Sequence, residues 1–175
     1  MNKVVENYIL QEKIGSGQYG NVYKAEHKTE QGFFAVKVMS VEKFKEQPKL
    51  SEFTNNEIQI LSKIDHPNII KFKEILKTNT NLFLVYEYCE GGTLTELIKK
   101  RGYLPEEEAL AFFDQMRNAF TALFKANILH RDLKPSNILF KEGLLKLADF
   151  GFCKELLQEN DLTQTMVGSP IYMAP

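Results

Sequence analysis

The chain has 175 residues, 22 Lys plus Arg against 23 Asp plus Glu, a formal net charge of −1 and 43% hydrophobic residues. That mixture excludes a largely disordered chain and a strongly basic nucleic-acid binder. No apolar run nears the ~18 residues of a membrane span. Met1-Asn2-Lys3-Val4-Val5-Glu6-Asn7 lacks the apolar stretch of a signal peptide, and two cysteines are too few for a disulfide framework. These features fit a reducing, cytoplasmic compartment.

The first ~90 residues read mostly as strands. Tyr8-Ile9-Leu10 leads through Ile14 into Gly15-Ser16-Gly17-Gln18-Tyr19-Gly20. Val22-Tyr23-Lys24-Ala25 and Phe33-Phe34-Ala35-Val36-Lys37-Val38-Met39 follow, with Gln31-Gly32 in the turn between them. The connection Ser40 to Lys49 is expected as a solvated loop. Phe53, Glu57, Ile60, Leu61 and Ile64 then fall near 3.6-residue spacing, which predicts a helix over 50–64, ended by Asp65-His66-Pro67-Asn68. Ile69-Ile70-Lys71-Phe72 and Leu82 to Glu87 return to strand. These elements predict a five-stranded sheet plus one helix over 1–89.

Glu90-Gly91-Gly92 breaks the pattern, and the chain beyond turns helical. Thr93 to Lys100 is short. Pro105, followed by Glu106, Glu107 and Glu108, is a strong helix start. Phe112, Phe113, Met116, Phe120, Leu123 and Phe124 then form a wide apolar stripe that needs cover. Short strands and loops resume at Asn127. Cys153 lies in a loop and is expected to be more exposed than Cys89.

Gly15-x-Gly17-x-x-Gly20-x-Val22 is weak evidence by itself, since a Gly-rich hairpin explains it equally well. A dinucleotide-binding turn would be followed by a helix, whereas here a strand follows. Glycines in a β-turn do let backbone N–H groups approach phosphate oxygens. Lys37 sits in an apolar strand, where an ammonium costs free energy unless an anion meets it. Glu57 on the next helix is the candidate partner. The decisive stretch is His130-Arg131-Asp132-Leu133-Lys134-Pro135-Ser136-Asn137, followed by Asp149-Phe150-Gly151. It supplies a carboxylate for a substrate hydroxyl, a lysine to neutralise charge, and oxygen ligands for a hard cation such as Mg²⁺.

In this order the motifs resemble the eukaryotic protein kinase family, from about Tyr8 to the last residue. The resemblance implies an α+β, two-lobe fold: a β-rich lobe over 1–89 and the first part of a helical lobe over 90–175. It implies an ATP-dependent protein kinase using Mg²⁺. Gly15, Gly17 and Gly20 would cover the ATP phosphates, and Lys37, positioned by Glu57, would hold two of them. Asp132 would accept the substrate proton and Lys134 would steady the transferring group. Asn137 and Asp149 would bind Mg²⁺. The Glu87 carbonyl and Cys89 N–H would pair with adenine beside Tyr86, between Ile14, Val22, Ala35 and Leu139.

Lys134-Pro135 and Gly168-Ser169-Pro170-Ile171-Tyr172-Met173-Ala174-Pro175 are similar to the serine/threonine branch, and Phe152 goes with serine over threonine as acceptor. Arg131 would bind a phosphate on Thr165, with Thr163 as the alternative. Glu87-Tyr88-Cys89-Glu90-Gly91-Gly92, Gly151-Phe152 and Gly168-Ser169-Pro170 together look similar to the Unc-51-like, autophagy-initiating branch. The match stops at Ala174-Pro175, before the glutamate and later helices that the family carries. The chain therefore reads as a fragment of an active kinase; the alternative is a non-catalytic ATP-binding or regulatory module. Either way a regulatory partner covering the exposed helical face is expected.

Overall fold

Alternating apolar residues build one antiparallel sheet in a computed structural model that describes residues 3–17, 20–156 and 167–173. Its strands are β1 (Lys3–Val5), β2 (Tyr8–Gly17), β3 (Gly20–His27), β4 (Phe33–Ser40), β5 (Phe72–Lys77) and β6 (Asn81–Glu87), in the order β1-β2-β3-β4-β6-β5. Five strands were expected. The sixth, β1, pairs Lys3 to Val5 with Leu10 to Tyr8 and is too short to show alternation in sequence. β5 starts at Phe72 rather than at Ile69. Ile69 instead bridges Leu147, and the Ile70 N–H donates to the Leu147 carbonyl at 2.9 Å. Their apolar character comes from burial, not from a strand.

One face of the sheet carries the core of Val5, Tyr8, Leu10, Ala25, Val36, Leu76, Phe83 and Val85. Tyr8 is 2% exposed, yet its hydroxyl donates to Glu74 Oε1 at 2.6 Å, so a buried phenol has its partner. The expected loop between Ser40 and Lys49 contains a short helix, α1 (Val41–Glu46). Ser40 caps it by accepting the Glu42 N–H at 3.2 Å, and it buries no residue, so it leaves no apolar period to read.

α2 spans Pro48–Leu61, with proline in the first turn where its missing N–H costs nothing. The chain divides into two compact units, Met1–Glu52 with Lys71–Tyr88 and Phe53–Ile70 with Cys89–Pro175. Sequence order placed all of 1–89 in one lobe; packing places Phe53–Ile70 in the second unit. Asn68 shows why. Its Nδ2 donates to Gln115 Oε1 and to the Leu145 carbonyl, both at 3.0 Å.

Past Cys89 the second unit continues with α3 (Leu94–Arg101), started by a capping box between Thr93 and Glu96. α4 (Glu106–Lys125) follows, with three glutamates in its first turn. Short strands complete it: β7 (Ile128–Leu129), β8 (Ile138–Lys141), β9 (Leu144–Leu147) and β10 (Lys154–Glu155). β8 and β9 form an antiparallel hairpin, and β7 pairs with β10. Ile138, Phe140 and Leu145 pack with Leu94, Leu97, Phe112 and Met116. The wide stripe of α4 is thus split. Leu123 is 1% exposed, whereas Phe113 is 65% and Phe124 81% exposed. Those two line an open apolar groove of about 410 Å³ with Met116, Phe120 and Leu133.

Candidate active site

In the sheet unit, strand register assembles the site residues. On β4, Val36 faces the core with Phe34 and Val38. Side chains alternate along a strand, so Ala35 and Lys37 stand on the opposite face. Directly paired residues share a face, and Lys37 pairs with Val22 on β3 and Leu84 on β6, while Ala35 pairs with Tyr86. Val22, Ala35, Lys37, Leu84 and Tyr86 therefore form one patch. Val22 also pairs with Gly15. The glycine hairpin closes at the pair Gly17↔Gly20. A Cβ on Gly20 would collide with the Val38 carbonyl, so this close approach of β3 to β4 requires glycine. Ile14 is 42% exposed beside these glycines. Glu87 Oε1 accepts the Lys71 N–H at 2.8 Å at the end of β6.

In the second unit, side-chain hydrogen bonds do the assembling. Asp132 is 2% exposed, a costly place for a carboxylate unless it is paired. It is paired three times. Lys134 Nζ donates to Oδ2 at 2.7 Å, Asn137 Nδ2 to Oδ2 at 2.9 Å, and Ser169 Oγ to Oδ1 at 2.9 Å. Lys134 also donates to Ser169 Oγ at 3.0 Å, closing the network. Burial pushes the Asp132 carboxyl up, but these donors and the Lys134 charge outweigh it and hold it below its ordinary range. Asp132 is therefore ionised at neutral pH.

Asn137 gives a second Nδ2 bond to the Asp132 carbonyl at 2.9 Å. With both N–H groups spent on Asp132, the atom it can offer a cation is its carboxamide oxygen. The Ala148 N–H donates to the Asn137 carbonyl at 2.8 Å, which holds the next residue, Asp149, beside it. This oxygen donor set suits Mg²⁺, which takes one or two protein ligands and fills its shell with phosphate and water oxygens.

His130 fixes the turn below. Its Nδ1 accepts the Asp132 N–H at 3.4 Å and its Nε2–H donates to the Ala148 carbonyl at 3.1 Å. Its ring meets Phe150 edge-on at 5.0 Å. Burial lowers its pKa to about 4, so it is a neutral structural member and not an acid or base at pH 7. Arg131 and Asp149 both adopt left-handed backbone, φ 64°, which costs a non-glycine residue about 1–2 kcal/mol. Gly168, φ 110°, passes so close to the Arg131 carbonyl that a Cβ would collide with it.

Arg131, expected to bind a phosphate, directs Nε to the Phe152 carbonyl at 2.6 Å. Thr163 and Thr165 lie outside the described residues. Cys153 is buried, not exposed, and burial pushes its thiol up, away from thiolate chemistry. Its place just after Asp149-Phe150-Gly151, ahead of Lys154 and Glu155, reads as a loop and conceals that burial. Cys89 is half-buried, and Leu139 is fixed by a bridge to Thr93. Glu57, on α2, is 4% exposed and belongs to the second unit, whereas Lys37 belongs to the first. Asn56, Asn68 and Gln115 were missed, because a side-chain amide bonding across the fold leaves no periodic trace in sequence.

A family model described as the protein kinase domain matches residues 8–175. The chain belongs to the protein kinase domain family. It is 41% identical to a protein named serine/threonine-protein kinase ATG1a of Arabidopsis thaliana, over 99% of this chain and 28% of that protein. It is 41% identical to serine/threonine-protein kinase ULK3 of Xenopus laevis, over 98% of this chain and 37% of that protein. Serine/threonine-protein kinase atg1 of Dictyostelium discoideum is 38% identical over 99% of this chain and 27% of its own length. The chain thus spans about a quarter to a third of these kinase relatives. No helix among the described residues is long and apolar enough to cross a membrane.

Proposed function

We propose that the protein carrying this chain is an ATP-dependent serine/threonine protein kinase of the Unc-51-like, autophagy-initiating branch, working in the cytoplasm. The observation that carries the reading is the buried Asp132 carboxylate, ionised and met by Lys134, Asn137 and the Ser169 hydroxyl. The Ser169 hydroxyl donating at 2.9 Å to this carboxylate supports a role for Asp132 as proton acceptor for a substrate serine or threonine. Lys134 stands 2.7 Å away to offset charge on the transferring phosphoryl group. Phosphoryl transfer depends on such positioning and charge neutralisation more than on covalent chemistry.

Asn137 and Asp149 would hold Mg²⁺, which neutralises phosphate charge when bound. Lys37, oriented by Glu57, and the glycines Gly15, Gly17 and Gly20 would hold the ATP phosphates. Ile14, Val22, Ala35 and Leu139 would flank the adenine, paired through the Glu87 carbonyl and the Cys89 N–H. Phe152 supports a preference for serine, and phosphate on Thr165 or Thr163 would raise activity. The exposed groove on α4 supports a covering protein partner of matching apolar character.

The test compares the protein expressed from its complete reading frame with its Asp132→Asn variant. Mg²⁺-ATP-dependent phosphorylation of a serine peptide should fall by about 10²–10⁴-fold in protein that still melts cooperatively. Equal rates would sink the reading. Nucleotide binding without turnover in the unsubstituted protein would favour the non-catalytic module.

A further inference from the structure

The five residues after Gly151 are held from two sides. On one side, Arg131 Nε donates to the Phe152 carbonyl at 2.6 Å, and its Nη2 lies 3.5 Å from the Cys153 carbonyl. The Leu156 N–H donates to the Asn127 carbonyl at 2.8 Å, and β10 pairs with β7. On the other side stands α2. The Phe53 ring meets the Phe152 ring edge-on at 5.1 Å. Asn56 Nδ2 donates to the Cys153 carbonyl. Lys63 Nζ pairs with Glu155 Oε2 at 2.8 Å. Phe53, Asn56 and Ile60 lie on one stripe of α2 and Lys63 in the turn just past its end, so α2 and the turn that follows it make the three ties.

The three ties differ in kind. Lys63 and Glu155 are both substantially exposed, and such a pair contributes little. The ring contact is apolar and tolerates sliding. Only the Asn56 amide is directional, and its acceptor belongs to a residue that is 2% exposed. The Cys153 side chain is held as well, its thiol donating to the His130 carbonyl at 3.5 Å. Glu57 is the next residue after Asn56 on the same helix.

We propose that Asn56 is a positioning residue: its amide locks the register of α2 to the segment after Asp149-Phe150-Gly151, and so sets Glu57 and Asp149 together. This rests on the kinase reading, in which Glu57 and Asp149 serve the same nucleotide. Arg131 and Asn56 converge on one carbonyl, so the segment is ordered by the protein's own donors before any phosphate arrives.

The experiment uses the protein from its complete reading frame and three substitutions. Asn56→Ala removes the donor. Asn56→Asp keeps the shape but turns an acceptor toward the carbonyl. Asn56→Gln keeps the donor on a longer arm. Asn56→Ala and Asn56→Asp should each lower kcat about tenfold with KM for ATP within about twofold, and Asn56→Gln should recover most of the loss. Melting temperatures should stay within about 3 °C of the unsubstituted protein. Wild-type kcat in Asn56→Asp overturns the proposal, and so does a loss in all three that tracks melting temperature. If the unsubstituted protein transfers no phosphate, the kinase reading fails, and hydrogen exchange then decides this one. Faster exchange at residues 153–156 in Asn56→Ala, with α4 unchanged, supports the tie; unchanged exchange overturns it.

Discussion

The two units place their candidate site residues by different means. In the sheet unit, Val22, Ala35 and Lys37 reach one face because backbone ladders fix the register of β3, β4 and β6. No single side chain decides that arrangement. In the second unit, Asp132, Lys134, Asn137 and Ser169 hold one another by side-chain bonds on loops whose backbone is strained at Arg131 and Asp149. Ladders spread a loss over many bonds, whereas a closed polar network fails when one member leaves. The sheet half should therefore tolerate substitution, and the loop half should be brittle.

The largest effect should come from Gly168→Ala. It forces a side chain onto left-handed backbone and against the Arg131 carbonyl, and it sits next to Ser169. The strain and the overlap together should cost about 4 kcal/mol in urea unfolding and displace the Ser169 hydroxyl from Asp132. A Gly168→Ala protein of ordinary stability would remove the claim of brittleness.

Acid comes next. The folded pKa of His130 is about 4, below its ordinary 6.5, so the folded state resists the proton that the unfolded chain accepts. Stability from this neutral ring is complete above pH 6.5 and is lost as pH falls toward 4, at most about 3 kcal/mol at 1.36 kcal/mol per unit. Burial lowers His66 as well, which adds loss in the same direction. Asp132, held below its ordinary 3.8, contributes its own loss only at still lower pH. Unfolding curves of the unsubstituted protein and of His130→Phe, taken across pH 7 to 4, should differ in slope. Parallel slopes would mean that another group controls acid sensitivity.

The smallest effect should be Val22→Ala on the sheet face. It removes two methyl groups from a half-buried side chain, worth about 1 kcal/mol or less. If Val22→Ala costs as much as Gly168→Ala, the contrast between ladder and network is wrong.

Legibility in sequence follows the same division. Strands β2 to β4 and helix α4 were readable because their apolar periods span many residues. The family was readable because the order of its motifs is specific. β1 was not, since three residues carry no period. α1 was not, since it buries nothing. Ile69 and Ile70 misled because a buried bridge and a strand use the same residue types. The Asn56, Asn68 and Gln115 bonds were invisible, because they join positions dozens of residues apart through polar groups that also suit any surface.

Cys153 has a practical consequence. The chain has two thiols, one half-buried at Cys89 and one sealed at Cys153. An alkylating probe under native conditions would mark Cys89 alone, beside the residues proposed to read adenine. The second thiol would react only when the segment behind it opens. Its labelling rate is thus a clock, needing no engineered reporter, for how often the grip around residues 152–156 lets go.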